Sequence, residues 1–259
     1  MYDYYLGGKD NFEVDRAAVE GIGPAMRDTL SAVAWENRQF LWRAVDYLAR
    51  ERGISQFIDV GSGLPTVRST HEVAQEVNPE ARVVYVDNDP IVLSHGQALL
   101  AKNGNTAVVE ADVRNPADIL EAAETKALID FSQPVAVLLV AILHFITTPD
   151  HPKHVPGNPV PGEIVDAFRD RLVPGSHLVM THVTFDGVPS DERAALEALY
   201  DGSTSPVVCR PRQEIEEMFA GWRLLPPGVV RPWQWPSENS PAPHTTYLFG
   251  GVGVKGGDD

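Results

Sequence analysis

Three acids and two glycines stand where they could grip a nucleoside. Phe57-Ile58-Asp59-Val60 is an apolar run carrying an acid, and Gly61-Ser62-Gly63 follows it directly. A second apolar run, Val83 to Val86, ends in Asp87-Asn88 about 25 residues after the glycines. That order matches a βαβ unit in which the first turn approaches the ligand and the second acid holds ribose hydroxyls. A third run, Ala107 to Glu110, leads to Asp112-Val113. An Asp there can accept from an adenine amino group while the next backbone N–H donates to the ring. The plainer alternative is that Asp112 only caps the turn before Asn115-Pro116.

Charge selects the nucleoside. A dinucleotide fingerprint carries a third glycine for close helix–strand packing, and that position is Thr66, preceded by Pro65. No Lys follows as in a phosphate-binding loop. Asp59, two residues before Gly61, would repel a phosphate. It suits S-adenosylmethionine, which has no phosphate and carries an ammonium and a sulfonium. Each signal alone is weak, because an acid at a strand end is often a helix cap. Asp59, Gly61, Ser62, Gly63, Asp87 and Asn88 together carry the expectation.

Proton transfer has two candidate bases. His144 follows the fourth apolar run and His182 ends the fifth, both at the carboxyl edge of the expected sheet. A neutral imidazole there could take a proton from a hydroxyl or amine. Either ring could equally be a hydrogen-bonded structural histidine. His151 and His154 lie on a proline-rich loop without the helical register of a metal-binding pair, so no metal is expected. Arg210 and Arg212 read as solvated surface residues.

The elements that must position these groups alternate. Helices are expected over Val14–Leu30 and Ala32–Arg50, with Gly53 as the stop. Strands follow at Gln56–Val60, Arg82–Asp87, Ala107–Glu110, Pro134–Leu143, His177–Val183, Trp222–Leu225 and Thr246–Val254. Helices are expected between them at Thr70–Val77, Pro90–Lys102 (capped by Asp89), Pro116–Glu121, Glu163–Arg171, Asp191–Tyr200 and Arg212–Phe219. This is an α/β, doubly wound, mostly parallel seven-stranded sheet. The last segment lacks room for a crossover helix, so one strand near the C-terminus should be antiparallel. The proline-rich loops Thr147–Gly162 and Pro226–Pro243 are candidate lids.

With these words in place, the chain resembles the class I S-adenosylmethionine-dependent methyltransferases. More closely it is similar to an actinobacterial group labelled S-adenosyl methyltransferase, of unassigned substrate. The matching words are Tyr2-Asp3-Tyr4-Tyr5-Leu6-Gly7-Gly8-Lys9-Asp10-Asn11-Phe12, Phe57 to Thr66, Val84 to Pro90, Leu143-His144 and Pro174-Gly175-Ser176. The resemblance spans nearly the whole chain and implies a methyltransferase-type Rossmann-like fold. Met1 abuts the first word, where members of the group have a short preceding segment, so a trimmed chain is expected. Tyr4, Tyr5, Asp10 and Asn11 in that word would form a flap, with rings screening the sulfonium. Equally, they would staple the first helix to the core.

Composition sets bounds. At 259 residues one domain is expected, with 1–52 as lid and helices, 53–254 as the α/β core and 255–259 as a tail. A net charge of -15 without a basic cluster argues against nucleic acid. No apolar run approaches the roughly 20 residues of a membrane span, and the single Cys209 fits a reducing cytoplasm. The expected partner is a small-molecule acceptor; oligomeric state stays open. Two rivals remain: a non-catalytic S-adenosylmethionine-binding regulatory module, and a nicotinamide-dependent reductase. The second is opposed by Pro65-Thr66 and by the lack of a Tyr-x-x-x-Lys pair near strand five.

Overall fold

In a computed structural model, residues 2–8, 23–64, 68–100, 104–201, 206–237 and 244–256 are described. The strands are β1 (Gln56–Val60), β2 (Arg82–Asp87), β3 (Thr106–Glu110), β4 (Ala136–Val140), β5 (His177–Val183), β6 (Trp222–Leu224) and β7 (Leu248–Lys255). They form one seven-stranded sheet in the order β3-β2-β1-β4-β5-β7-β6. β1 to β5 pair in parallel, and β7 runs antiparallel to both its neighbours. The chain winds outward from β1 to β3 and returns to β4, so β1 and β4 flank the switch point where such sheets bind ligands.

The unalternating apolar strands are explained by burial on both faces. Neighbouring residues of one strand enter opposite cores. Ile58, Val84, Val137 and Leu178 pack on one face. Phe57, Val83, Leu138 and Val179 pack on the other, beneath Phe40, Leu41, Ala44 and Leu48 of the long N-terminal helix.

The helices are α1 (Tyr2–Tyr5), α2 (Pro24–Arg52), α3 (Thr70–Val77), α4 (Pro90–Leu100), α5 (Pro116–Glu121), α6 (Ala123–Leu128), α7 (Pro161–Arg171), α8 (Ser190–Asp201) and α9 (Arg212–Glu217). α2 corrects the expected break after Leu30. From Pro24 to Arg52 no glycine or further proline interrupts the backbone, so the helix is continuous. Residues 14–22 of the expected first helix lie outside the described ones. Gly53 does end α2, at φ 66° with its N–H on the Leu48 carbonyl. Asp89 accepts from Ile91 N–H at 2.9 Å and caps α4. α6 carried no recognised sequence signal.

Three further differences concern ends. β4 stops at Val140, because Ala141 adopts φ 57° and donates its N–H to Thr181 Oγ1 at 2.9 Å instead of to the ladder. Lys255 is not tail: it closes β7, and its ammonium binds the Arg169 and Leu172 carbonyls. Residues 257–259 are outside the described set. In the Pro226–Pro243 loop, of which 226–237 are described, Trp235 is fully buried against Phe40 and Tyr47, so that described part packs into the core. No described helix is long and apolar enough to cross a membrane.

Candidate functional site

The turn after β1 is built by its glycines. Gly61 and Gly63 have φ of 70° and 65°, a region side chains disfavour. Gly61 N–H and Ser62 N–H both donate to the Val86 carbonyl, at 2.8 and 3.2 Å. Gly63 N–H donates to Asp87 Oδ2 at 2.9 Å. The turn is thus fastened to the end of β2. The two glycines serve different needs. A Cβ on Gly61 would lie 2.6 Å from Ile142 Cδ1, so close packing forbids one. A Cβ on Gly63 would meet no atom of the described residues within 4 Å. The space above Gly63 is open for a ligand.

Two carboxylates border that space. Asp59 is buried and accepts the Thr70 hydroxyl at 2.6 Å. Burial pushes its pKa up; Thr70 and the nearby Arg38 guanidinium oppose this, and Asp87 adds to it. Asp87 is also raised, chiefly by burial, although Gly63 and Asp89 donate backbone N–H groups to it. Arg38, Asp59, Ser62, Gly63, Thr70 and Tyr85 line one pocket. Two partly desolvated, mutually repelling carboxylates favour a cationic ligand and oppose a phosphate. The donor set therefore fits a sulfonium cofactor with an ammonium group: Asp87 for the ribose, Asp59 on the amino-acid side, the glycine turn between.

Asp112 takes its turn-closing reading. It closes its own turn, accepting from Arg114 N–H at 2.9 Å, and the Arg114 guanidinium grips both oxygens. Arg114 first, with a smaller contribution from the Asn88 side chain, holds its pKa below the usual range. Asn88 is thus placed between the second and third strand ends, as a link from Asp87 to Asp112. Val113 turns inward and is buried in the core.

Tyr4 and Tyr5 meet edge to face at 6.2 Å. Tyr5 and Leu6 are buried against Ala34, with Leu30 and Trp35 beside them. These rings staple the chain start to α2, one turn before Arg38. Asp10 and Asn11 lie outside the described residues.

The histidines separate. His182 is fully buried. Its Nδ1 donates to the Val183 carbonyl at 2.7 Å, and its Nε2 accepts from Arg210 Nη1 at 2.9 Å. Neither nitrogen is open to a substrate, and burial lowers its pKa to about 3. His144 lies 5.8 Å away, ring to ring, on the turn Leu143–Phe145 after β4. Its Nδ1 has no hydrogen-bond partner among the described residues. Burial, then His182 and Arg210, press its pKa well below 6.5, so it is neutral at pH 7. His154 and His151 instead bond locally, to Thr147 and to Lys153 N–H. Among the described residues no three His, Cys, Asp or Glu side chains cluster as a metal site.

Arg210 corrects the surface reading. It is 3% exposed, and its guanidinium ties His182 to the Ile146 carbonyl at 2.7 Å. Arg212 is exposed and pairs with Glu216. Arg38 and Asn37 were missed. Asn37 Oδ1 accepts from the Thr181 hydroxyl at 2.6 Å, bracing the β4–β5 end. The signal was present: both sit in the apolar stripe Ala34, Leu41, Val45 of α2, where a polar side chain must be facing something polar.

Comparison with known proteins agrees with this geometry. A family model described as S-adenosyl methyltransferase matches residues 1–256. The crystal structure of a "putative methyltransferase" from Thermobifida fusca YX is 44% identical, with a TM-score of 0.85, covering 98% of this chain and 93% of that one. A DUF574-family protein from Streptomyces avermitilis is 39% identical at a TM-score of 0.85, covering 98% and 95%. An O-methyltransferase family protein from Burkholderia thailandensis shares the fold at 14% identity and a TM-score of 0.53, covering 90% of this chain and 61% of that one. No curated protein matches the chain.

Proposed function

The chain belongs to the S-adenosyl methyltransferase family and its cofactor is S-adenosylmethionine; from that premise we propose that it transfers a methyl group directly to a nucleophile on a small molecule. The observation that carries this reading is the pair of buried carboxylates, Asp59 and Asp87, around a glycine turn open above Gly63. When bound, the cofactor supplies an activated methyl on a positive sulfur. The protein's part is alignment and proton removal. Asp87, already oriented by Gly63 and Asp89, has lone pairs left for ribose hydroxyls. Asp59 and Arg38 set the charge at the opposite end.

His144 is the base in this reading. It is neutral at pH 7. His182 serves it indirectly: with Arg210 it fixes the floor on which the Leu143–Phe145 turn rests. A proton leaving the acceptor would go to the His144 ring through Nε2, since Nδ1 is closed off inside the protein. The acidic surface, with a net charge of -15, speaks for a small acceptor over a nucleic acid, and the site is read as cytoplasmic.

The experiment incubates the full chain with methyl-labelled S-adenosylmethionine and a panel of hydroxyl- and amine-bearing small molecules. Label should appear on an acceptor, and His144→Ala should slow transfer by about 10²–10⁴-fold with cofactor affinity kept. Tight cofactor binding without turnover on any acceptor would favour the non-catalytic module.

A further inference from the structure

At the opposite, amino-terminal edge of the sheet lies a second cavity of about 510 Å³, inside the roughly 300–1,000 Å³ range of small-molecule sites. Its lining includes Gln56 at the start of β1, His177 at the start of β5 and Val254 near the end of β7. Three arginines reach it from three elements: Arg52 from the last turn of α2, Arg82 from β2 and Arg223 from β6.

None of the three forms an ion pair among the described residues, in a chain with 36 acidic and 21 basic residues. Arginines near helix ends often serve the helix carbonyls, and that role accounts for only part of this set. Arg82 donates to the Leu128 carbonyl at 3.2 Å. Arg52 donates to Tyr47 Oη. The Leu48 carbonyl at the end of α2 is already taken by Gly53 and Ile54. The Arg223 side chain makes no hydrogen bond among the described residues. The lining also holds Glu80 and Asp130, but Asp130 is committed to the Ser132 N–H and hydroxyl.

His177 supplies an independent sign. It is 3% exposed, yet neither ring nitrogen makes a hydrogen bond of normal geometry with a described group. Burial, then the Arg52 charge, lower its pKa to about 4, with Arg223 adding and the Gly175 carbonyl opposing. Its neutral ring therefore offers one donor and one acceptor next to unpaired guanidinium charge. The three guanidinium-bearing residues are exposed, so their free donors face water that an oxyanion can displace.

We propose that this cavity binds a small oxyanion of the phosphate class, held by Arg52 and Arg223 with a ring N–H of His177 as a further donor. Guanidinium forks match such oxygens. The volume exceeds what a bare ion fills, which leaves room for an organic body. The site is separate from the cofactor turn, since it lies across the whole length of the strands.

The test follows the His177 ring by NMR in the full chain, its resonance identified with His177→Gln. One titration uses inorganic phosphate and a second uses ribose 5-phosphate, both at ionic strength fixed with sodium chloride. A saturable shift is expected, and the Arg52→Ala/Arg223→Ala double variant should weaken it at least about tenfold, each 1.4 kcal/mol being one decade. Tighter ribose 5-phosphate binding identifies an organic phosphate; equal or tighter inorganic phosphate binding identifies the free ion. S-adenosylhomocysteine affinity should be unchanged in the double variant, which also shows that it is folded. A shift that stays linear and matches sodium chloride alone would overturn the proposal. So would saturation that the double variant leaves unaltered.

Discussion

Alanine at Gly63 and at Gly61 should separate binding from stability. Both residues are left-handed, at φ 65° and 70°, so each substitution costs about 1–2 kcal/mol from the backbone alone. At Gly63 the added methyl meets no atom of the described residues within 4 Å, so the backbone cost should be the main stability effect. At Gly61 it lies 2.6 and 2.8 Å from Ile142 Cδ1 and Cγ1, with Ile142 Cβ at 3.1 Å. Rotating the end of that side chain cannot relieve all three contacts. Overpacking of this kind adds about 1–3 kcal/mol. In a domain this size each kcal/mol lowers Tm by about 2–4 °C, so Gly61→Ala should melt clearly below Gly63→Ala. Binding should rank the other way for its size of stability loss. The Gly63 methyl enters the space the ligand needs, so calorimetry with S-adenosylhomocysteine should show at least about tenfold weaker binding, or 1.4 kcal/mol. A folded Gly63→Ala protein with unchanged affinity would refute the placement of the ligand above this turn. A Gly61→Ala protein as stable as Gly63→Ala would refute the packing argument.

Asp87→Ala should weaken cofactor binding by about 1.5–3 kcal/mol. It should also cost stability, because Gly63 and Asp89 N–H groups lose their acceptor; Asp87→Asn, which keeps one oxygen, should recover part of both in calorimetry and urea unfolding. Burial raises the Asp59 and Asp87 pKa values, and a cationic ligand binds the ionised forms. S-adenosylmethionine affinity should therefore fall with decreasing pH from above the ordinary carboxylate pKa of about 4; affinity flat down to that pH would count against the two carboxylates. His182 has a folded pKa of about 3 and His177 of about 4, both below the unfolded value of about 6.5. Between those limits the unfolded chain binds more protons, so each histidine makes stability fall as pH falls, by up to about 1.4 kcal/mol per pH unit. Urea midpoints measured across that window should lose part of this slope in His182→Gln, and an identical slope would contradict the neutral buried ring.

The sheet was legible because its strands are unbroken apolar runs closed by identifiable stops. β1, β2 and β5 end where the sequence expects, and Gly53 and Asp89 act as the helix stop and cap. What escaped depends on contacts between distant segments. Ala141 leaves β4 early because Thr181, forty residues on, captures its N–H. Arg210 looked solvated beside Arg212, but the carbonyls of Leu143 and Ile146 and the ring of His182 surround it. The acids bordering the glycine turn were readable from type and spacing. That Asp87 also fastens Gly63 was not, since it depends on the β1–β2 register. The polar triplet Glu36-Asn37-Arg38 on α2 could have been found, because two of its members interrupt an apolar stripe.

The most direct test of the account is a crystal structure of the full chain with S-adenosylhomocysteine. The ribose hydroxyls should lie within about 3 Å of the Asp87 carboxylate, the amino-acid end on the Asp59 side of the Gly61–Gly63 turn, and the sulfur on the side facing His144. Ligand bound elsewhere, or ribose remote from Asp87 in an otherwise unchanged fold, would contradict it.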